Sequence, residues 1–307
     1  GNGGTPQPAG IVTGTGAQLV TPSHQPERLQ RPGATTPLGS FNITELGDPA
    51  DKIGKDTNFR GLTVFDDVVY LTKGSGGNGV NTVYFVDTTG HACPNGVGVP
   101  RPGVRLPTTP LAFDPATVAS TGLPNNMCVL AGFPTALKTK TSFPFGIWFA
   151  DQDTAYVADE GNADTTFANG TYTNAAAQTT AGLQKWVRTN GTWQLAYTMD
   201  AGLNLGVPYM VPGYPTGTNA ATGLPWAPAT DGLRNITGRV NSDGTVTIWA
   251  VTSTVSGNGD TGADPNLLVA VTDRLDAASV GTQRFATIRS SRAGEVLRGV
   301  SFTPRNF

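Results

Sequence analysis

Carboxylates placed in turns are the residues of this sequence whose chemistry is most readily interpreted. Asp159 and Asp164 lie in ADEGNAD, and Asp260 and Asp264 lie in GNGDTGADPN. Calcium takes about six to eight oxygen ligands in flexible geometry, and loops rich in Asp, Asn and Gly provide them. These four residues are therefore candidate Ca²⁺ ligands. The competing interpretation is that they are ordinary turn residues, whose side chains bond to the neighbouring backbone.

Three arginines begin similar segments: Arg60 in RGLTVF, Arg234 in RNITG and Arg298 in RGVSF. If each segment is the inner strand of a propeller blade, the guanidinium groups face the channel mouth and attract an acidic or phosphorylated ligand, such as an acidic sugar. Trp226, in the loop GLPWAPAT, is a candidate for stacking on a sugar ring. The alternative is that each arginine holds a neighbouring sheet through an ion pair.

The two cysteines, Cys93 and Cys128, lie in a Pro-rich segment and fit no CxxC motif. Neither histidine of the chain completes a tetrahedral metal set with them. We expect a disulfide between them, which is typical of an oxidising compartment. Redox or metal chemistry is the other interpretation of the pair.

Composition excludes several classes of function. The net charge is −2 and charged residues are only 14% of the chain, which gives no basic footprint for nucleic acid. No apolar run reaches the roughly 18 residues of a membrane span. The first residues, GNGGTPQPAG, include neither an initiator Met nor a signal-peptide core, so we expect Gly1 to be a processed or cut end. No G-x-S-x-G nucleophile motif occurs.

The elements that must position these residues are short strands. Residues 143–199 contain FGIWFA, TAYVADE, GLQKWVR and TWQLAYTM, with Asn190-Gly191 between the last two. Asn-Gly between two apolar runs is a strong hairpin signal. Four antiparallel strands in chain order, within about fifty residues, describe one blade of a β-propeller.

The same pattern recurs along the chain. Residues 59–90 hold three strands, a Pro-rich excursion follows at 91–142, and residues 233–291 hold four strands. Residues 1–58 are interpreted as outer strands of an incomplete blade, with candidates at 10–20 and 40–46, and 295–304 as a closing inner strand. The residues Arg60, Phe145, Arg234 and Arg298 align at the start of successive units.

The predicted fold is therefore an all-β propeller of four-stranded antiparallel blades, about four of them in this chain. Two arrangements stay open. The last strand closes a small ring on the N-terminal strands, or the chain is the C-terminal part of a six- or seven-bladed propeller. In the second case its partner is the missing N-terminal part, because an open half-ring would expose long strand edges.

DTAYVADEGN followed by GLQKW resembles the NHL-type repeat, with an insert at 163–181 that the repeat lacks. The matching residues are Tyr156, Val157, Asp159, Gly161, Asn162, Leu183, Gln184 and Trp186. More broadly, the chain is similar to secreted bacterial propeller proteins with NHL-like or phytase-like blades. The resemblance implies the propeller fold and no particular activity, because this architecture serves binding modules, lyases and hydrolases alike.

The sequence thus favours a secreted or cell-surface binding or structural module, with a carbohydrate or anionic ligand and no required cofactor. The alternative is a hydrolase or lyase acting on extracellular polysaccharide or phosphate esters, with Ca²⁺ held by the Asp-rich loops. A bound cation facing the channel mouth would favour the enzyme.

Overall fold

A computed structural model of the chain describes residues 59–66, 68–74, 80–86, 92, 97–100, 127–136, 142–258 and 262–303. The predicted strands at 10–20 and 40–46 lie outside these residues. The regular secondary structure of the described part is almost entirely β-strand, as the sequence predicts. None of its helices has the length and apolar character to cross a membrane.

The first sheet contains the three strands predicted at 59–90 and two more. Its members are β1 (Phe59–Phe65), β2 (Val68–Lys73), β3 (Thr82–Val86), β4 (Val97–Gly98) and β5 (Met127–Leu130), in the spatial order β1-β2-β3-β5-β4. The fourth antiparallel strand, β5, comes from the 91–142 excursion, where the sequence predicts none. The four residues of β5 are too few to display the alternation by which a strand is recognised.

The second sheet is the one predicted at 143–199. Its strands pair antiparallel in chain order: β6 (Pro144–Phe149), β7 (Thr154–Asp159), β10 (Gly182–Thr189) and β11 (Thr192–Met199). Asn190 and Gly191 have φ of 52° and 78°, the positive values that a two-residue hairpin turn requires. The 163–181 insert holds β8 (Phe167–Ala168), β9 (Thr171–Tyr172) and the single-turn helix α1 (Thr173–Ala176).

The third sheet is the one predicted at 233–291, again antiparallel and in chain order. Its strands are β12 (Ala229–Val240), β13 (Thr245–Val255), β14 (Leu267–Arg274) and β15 (Ala286–Ser290). The predicted strand at 295–304 is wrong for its described part, residues 295–303, which have no strand. There the Asn266 side-chain amide forms hydrogen bonds with both backbone groups of Leu297. It accepts from the N–H at 2.8 Å and donates to the carbonyl at 2.9 Å.

The three large sheets each carry an irregularity at the same aligned place in their first strand. The ladder register shifts between Phe59 and Leu62, between Pro144 and Ile147, and between Leu233 and Ile236. The aligned positions 60, 145 and 234 lie inside these three intervals. Such bulges bend a strand and re-aim its side chains, so the internal alignment has a structural basis in three of its four segments.

The described chain divides into two compact units, residues 1–140 with 190–193, and residues 141–189 with 194–307. The larger unit buries one apolar core between its two sheets, formed by Tyr156, Leu183, Met199, Leu233, Ile248, Val269, Val271 and their neighbours. The backbones of β6 and β12 are in close contact there, because a Cβ on Gly146 would lie 2.5 Å from the carbonyl oxygen of Arg234. The described sheets form no closed barrel, and the propeller with its blade count stays a prediction.

Candidate binding face

Three long connections of the second and third sheets lie at one end of these sheets. β7 ends opposite the start of β10, since Asp159 pairs with Gly182, and β13 ends opposite the start of β12, since Val255 pairs with Ala229. The two ends meet, because a Cβ on Gly161 would lie 2.4 Å from the Asp231 carboxyl carbon. We call the end formed by residues 160–181, 200–228, 256–258 and 262–266 the connection face. The opposite end has the short turns 151–153 and 241–244, and the β14–β15 connection at 275–285 begins there.

Hydrogen bonds join the three connections into one layer. Tyr172 N–H donates to the Gly206 carbonyl at 2.8 Å, and the Asn219 side-chain amide donates to the Gly257 carbonyl at 2.6 Å. The Tyr209 hydroxyl donates to the Pro265 carbonyl at 2.9 Å. Loops that are hydrogen-bonded to one another in this way form one defined surface and do not move as independent segments.

The buried side chain of Asp264 stabilises this layer through hydrogen bonds. Its carboxylate is 1% exposed and accepts from the Tyr214 hydroxyl at 2.6 Å, the Asn258 amide at 3.3 Å and the Thr254 hydroxyl at 3.3 Å. A buried carboxylate with three donors is satisfied by the protein itself. Asp264 thereby positions the loops, and Asp260, the other predicted ligand of this connection, lies outside the described residues.

Asp159 is buried beneath the connection face at the end of β7. Its carboxylate accepts from Phe143 N–H at 2.7 Å, Gly161 N–H at 3.0 Å, the Ser142 hydroxyl at 3.0 Å and the Gln184 amide at 3.2 Å. Burial raises the pKa of Asp159 to about 6, and these hydrogen bonds oppose the rise.

Asp231, at the start of β12, is a second fully buried carboxylate. It accepts from Ala163 N–H at 2.8 Å and from the Gln178 amide at 2.7 Å, both in the insert. Burial raises the pKa of Asp231 to about 7, while Asp159 and Glu160 add a smaller repulsion. The sequence does not single out Asp231, because a lone Asp in a strand-forming segment carries no motif.

Asp164 is a turn residue, as the competing interpretation has it. Its carboxylate accepts from Thr166 N–H at 2.8 Å and from the Thr166 hydroxyl at 2.6 Å, and the hydroxyl bond is the main cause that lowers the pKa of Asp164. Within the described ranges, no group of three or more His, Cys, Asp or Glu is arranged to hold a metal ion. The calcium site stays a prediction.

The three predicted arginines lie in different surroundings. Arg234 pairs with Glu160 at 3.1 Å, and its guanidinium carbon lies 5.3 Å from the Phe145 ring centre. This arrangement matches the alternative in which an arginine joins neighbouring sheets. Arg60 is half-buried in β1 of the smaller unit. Arg298 is exposed and directly follows Leu297, whose backbone is hydrogen-bonded to the Asn266 side chain.

Trp226 lies half-buried in the connection face, where its backbone N–H donates to the Gly217 carbonyl at 2.9 Å. Met210, in the same connection, is 75% exposed and Val207 is 49% exposed. The connection face thus presents apolar and aromatic groups to solvent. These are the side chains suited to a ligand with an apolar face.

A buried ionic network at the sheet interface was missed by sequence reasoning. The Lys185 ammonium lies 3.4 Å from the Asp273 carboxylate, with both side chains 0% exposed. It also donates to the carbonyls of Arg274, Leu275 and Ala277 at 2.6 to 3.0 Å. The hydroxyls of Tyr156 and Tyr197 donate to Asp273. The sequence signal that could have indicated this network was a charged residue at a core-facing position of a strand with alternating apolar residues.

The cysteines cannot be paired from the described residues alone. Cys128 is fully buried in β5, and no cysteine in the described part of the chain is free. Its predicted partner, Cys93, lies outside that part, so the disulfide stays a prediction.

Comparison of the sequence with known protein-family models and with curated proteins gives no match.

Proposed function

We propose that the protein is an extracellular binding or interaction module of the propeller type, and that it recognises its ligand on the connection face. One observation carries the proposal. Three long connections of two sheets lie at one end, are tied into one layer and expose Met210 and part of Trp226 there. Binding residues are disproportionately found on loops that a rigid scaffold positions.

The buried acids support binding rather than bond-breaking chemistry. Asp159, Asp264 and Asp273 each receive several hydrogen bonds from within the fold. A carboxylate that is 0–1% exposed and already accepts several hydrogen bonds from the protein holds loops and strands together. The structural role of these groups leaves recognition to the exposed side chains of the connections.

The ligand class that we propose is an acidic or phosphorylated glycan. Trp226 would stack on a sugar ring, since aromatic faces pack well against the apolar face of such rings. Arg298 is exposed beside the held Leu297 segment and would pair with the acid group. Arg234 contributes no free charge, because Glu160 already pairs with it.

Binding of uronate oligosaccharides and of a phosphorylated sugar, measured by calorimetry, tests this proposal. We expect Trp226→Ala and Arg298→Ala each to weaken binding about tenfold, the equivalent of about 1.4 kcal/mol. Arg284→Ala is the matched control, since Arg284 is also an exposed arginine but lies in the β14–β15 connection. Equal affinity of all variants, or no binding by the wild type, would refute the glycan assignment.

A further inference from the structure

The Lys185 ammonium lies among oxygen atoms at the end of the sheets opposite the connection face. Lys185 pairs with Tyr156 across β10 and β7, and it stands two residues from Leu183 on the core-facing side of β10. Its side chain reaches the turn that follows β14. We call the oxygens that it meets there the carbonyl cage: the backbone carbonyls of Arg274, Leu275 and Ala277, the Tyr197 hydroxyl and the Asp273 carboxylate.

The carbonyl cage contains more oxygens than a lysine has donors. The three carbonyls lie 2.6, 2.9 and 3.0 Å from the Lys185 Nζ atom. The Tyr197 oxygen lies at 3.2 Å and the Asp273 carboxylate at 3.4 Å. An ammonium group has three N–H donors. Five oxygens around three donors are arranged as they would be around a bound cation.

The charges of the carbonyl cage fit one monovalent cation. Asp273 is its carboxylate, and the other side chains that donate to this carboxylate are neutral. They are the hydroxyls of Tyr156 and Tyr197 and the amide of Gln283. Asp276 lies on the same turn, but its side chain is 70% exposed and pairs with Arg274 at 2.9 Å. One buried negative charge therefore faces one buried positive charge.

The distances indicate which class of cation the carbonyl cage fits. Oxygens contact Ca²⁺ at about 2.3–2.6 Å and Mg²⁺ at about 2.0–2.1 Å. The three carbonyls lie at 2.6 to 3.0 Å from the nitrogen, which leaves room for a larger ion. Backbone carbonyls replace the hydration shell of K⁺ in channels. The carbonyl cage therefore suits an ammonium group or K⁺.

The turn at 274–277 needs a cation in order to keep its conformation. Three carbonyl dipoles that converge on one point repel one another, and a buried acceptor without a donor is unfavourable. The Lys185 ammonium removes both effects. Solvent is close, because Leu275 and Ala277 are only half-buried and Asp276 is exposed. A small ion can therefore reach the carbonyl cage when the ammonium group is absent.

We propose that the carbonyl cage is a monovalent-cation site whose cation is supplied by the chain itself, as the Lys185 ammonium. A free primary ammonium ion or K⁺ binds there once the ammonium group of Lys185 is removed. Arg274 pairs with Thr245, beside the short turn 241–244, so the site lies away from the connection face. It is independent of the ligand proposed for that face.

Chemical rescue of Lys185→Ala tests the proposal. n-Propylammonium carries the three carbons and the ammonium group that this substitution removes, and it should stabilise the folded state by mass action. At about ten times its dissociation constant, it should lower the unfolding equilibrium constant in urea about tenfold relative to sodium chloride of equal ionic strength. Ammonium and K⁺ should act in the same direction, whereas n-propanol should not.

Wild type and Lys185→Met are the controls, because their long side chains fill the space that the added ion would enter. We expect no cation-specific change in either. A stability of Lys185→Ala that is independent of all three cations, or an equal response of Lys185→Met, would overturn the proposal.

A double variant keeps the test valid if Lys185→Ala does not fold. If the ammonium served only to neutralise Asp273, Lys185→Met/Asp273→Asn would hold the turn as firmly as wild type. We instead expect the Leu275 and Ala277 amides, which donate to the carbonyls of Gly244 and Arg274, to exchange about tenfold faster than in wild type. Wild-type exchange rates at these amides would overturn the proposal.

NMR of the wild type gives a test that needs no substitution. The Lys185 ammonium should give a slowly exchanging ¹⁵N–¹H signal with couplings, through its hydrogen bonds, to the carbonyl carbons of Arg274 and Leu275. An ammonium that exchanges as fast as that of an exposed lysine would contradict the carbonyl cage.

Discussion

Lys185 and Asp273 form the most deeply buried charge pair among the described residues. Burial removes both charges from water. The desolvation free energy is offset by hydrogen bonds from the ammonium to three carbonyls and from two tyrosine hydroxyls to the carboxylate. Such a pair adds little over an apolar replacement of both partners, but removal of one partner leaves an unpaired buried charge.

Lys185→Met should therefore destabilise the protein by about 3–5 kcal/mol, as measured by urea unfolding. Arg188→Met, on the same strand, is the control. Arg188 pairs with Asp153 at 2.9 Å, where the Asp153 side chain is 68% exposed, and such pairs contribute about 0–1 kcal/mol. Similar losses in the two variants would mean that the Lys185 pair is not energetically special.

Prediction from sequence was uneven at the level of single residues. The role of Asp164 followed from turn chemistry, because its partner Thr166 is two positions away. Asp231 and Asp273 could not be found in this way, since the groups that bond them from the neighbouring sheet are 53 to 117 positions distant. Long-range partners become visible only when the packing of two sheets is known.

At the scale of elements, β6 and β12 pack with unusual closeness. A Cβ on Gly146 would lie 2.5 Å from the Arg234 carbonyl and 3.1 Å from the Ile236 nitrogen. Real Cβ atoms do not approach backbone atoms so closely, so a side chain there must push the two strands apart.

We expect Gly146→Ala to cost about 1–3 kcal/mol through overpacking, measured by thermal or urea unfolding. Gly299→Ala is the matched control, because a Cβ at Gly299 would meet no atom within 4 Å. If Gly146→Ala is as stable as Gly299→Ala, the close approach of β6 and β12 is incorrect.

The connections depend on Asp264. Tyr214→Phe removes the 2.6 Å hydrogen bond to its carboxylate and should cost about 1–2 kcal/mol. We also expect faster proteolysis within 200–228, since the loop loses a buried anchor. Unchanged cleavage and stability would show that Asn258 and Thr254 hold Asp264 without help.

The strands were largely predictable because each hairpin carries its own signal. Asn190-Gly191 and Asp243-Gly244 lie between alternating apolar runs, and each lies in a hairpin turn. β5 was missed because its pairing with β3 bridges a long Pro-rich segment. The strand predicted at 295–304 was wrong because the Asn266 side chain, instead of a neighbouring strand, bonds the Leu297 backbone.

At the scale of the whole molecule, the acids impose opposing pH dependences. Burial raises the pKa values of Asp159 and Asp231 to about 6 and about 7, so their contribution to stability is complete below about pH 4 and lost as pH rises through these values. Hydrogen bonds, mainly from Thr166, Thr245 and Arg274 respectively, lower the pKa values of Asp164, Asp243 and Asp276. Their contribution is lost as pH falls below about 4.

The urea midpoint of the wild type should therefore be highest near about pH 4–5 and decline toward pH 7.5. Asp231→Asn should make the decline shallower, because the substituted side chain does not titrate. A midpoint that rises steadily from pH 5 to 7.5 would contradict the assignment of raised pKa values to both aspartates.

The sequence predicted two four-stranded antiparallel sheets in chain order, at 143–199 and 233–291, and the structure confirms them, whereas the first sheet adds β4 and β5 to its three predicted strands. It also placed Arg60, Phe145 and Arg234 at equivalent positions, each now found within a bulged first strand. A ring of blades is harder to predict than the sheets themselves, because it depends on contacts between sheets that no local pattern of residues encodes. The propeller accordingly remains the interpretation of the repeat.

The short turns at 151–153 and 241–244 have a practical consequence for any study of binding. Their side chains are mainly exposed, and they lie at the end of the sheets opposite the long connections. A cysteine introduced at Gln152 or Ser242 would anchor the protein to a sensor chip through that end. The loops under study would then point into the flowing sample.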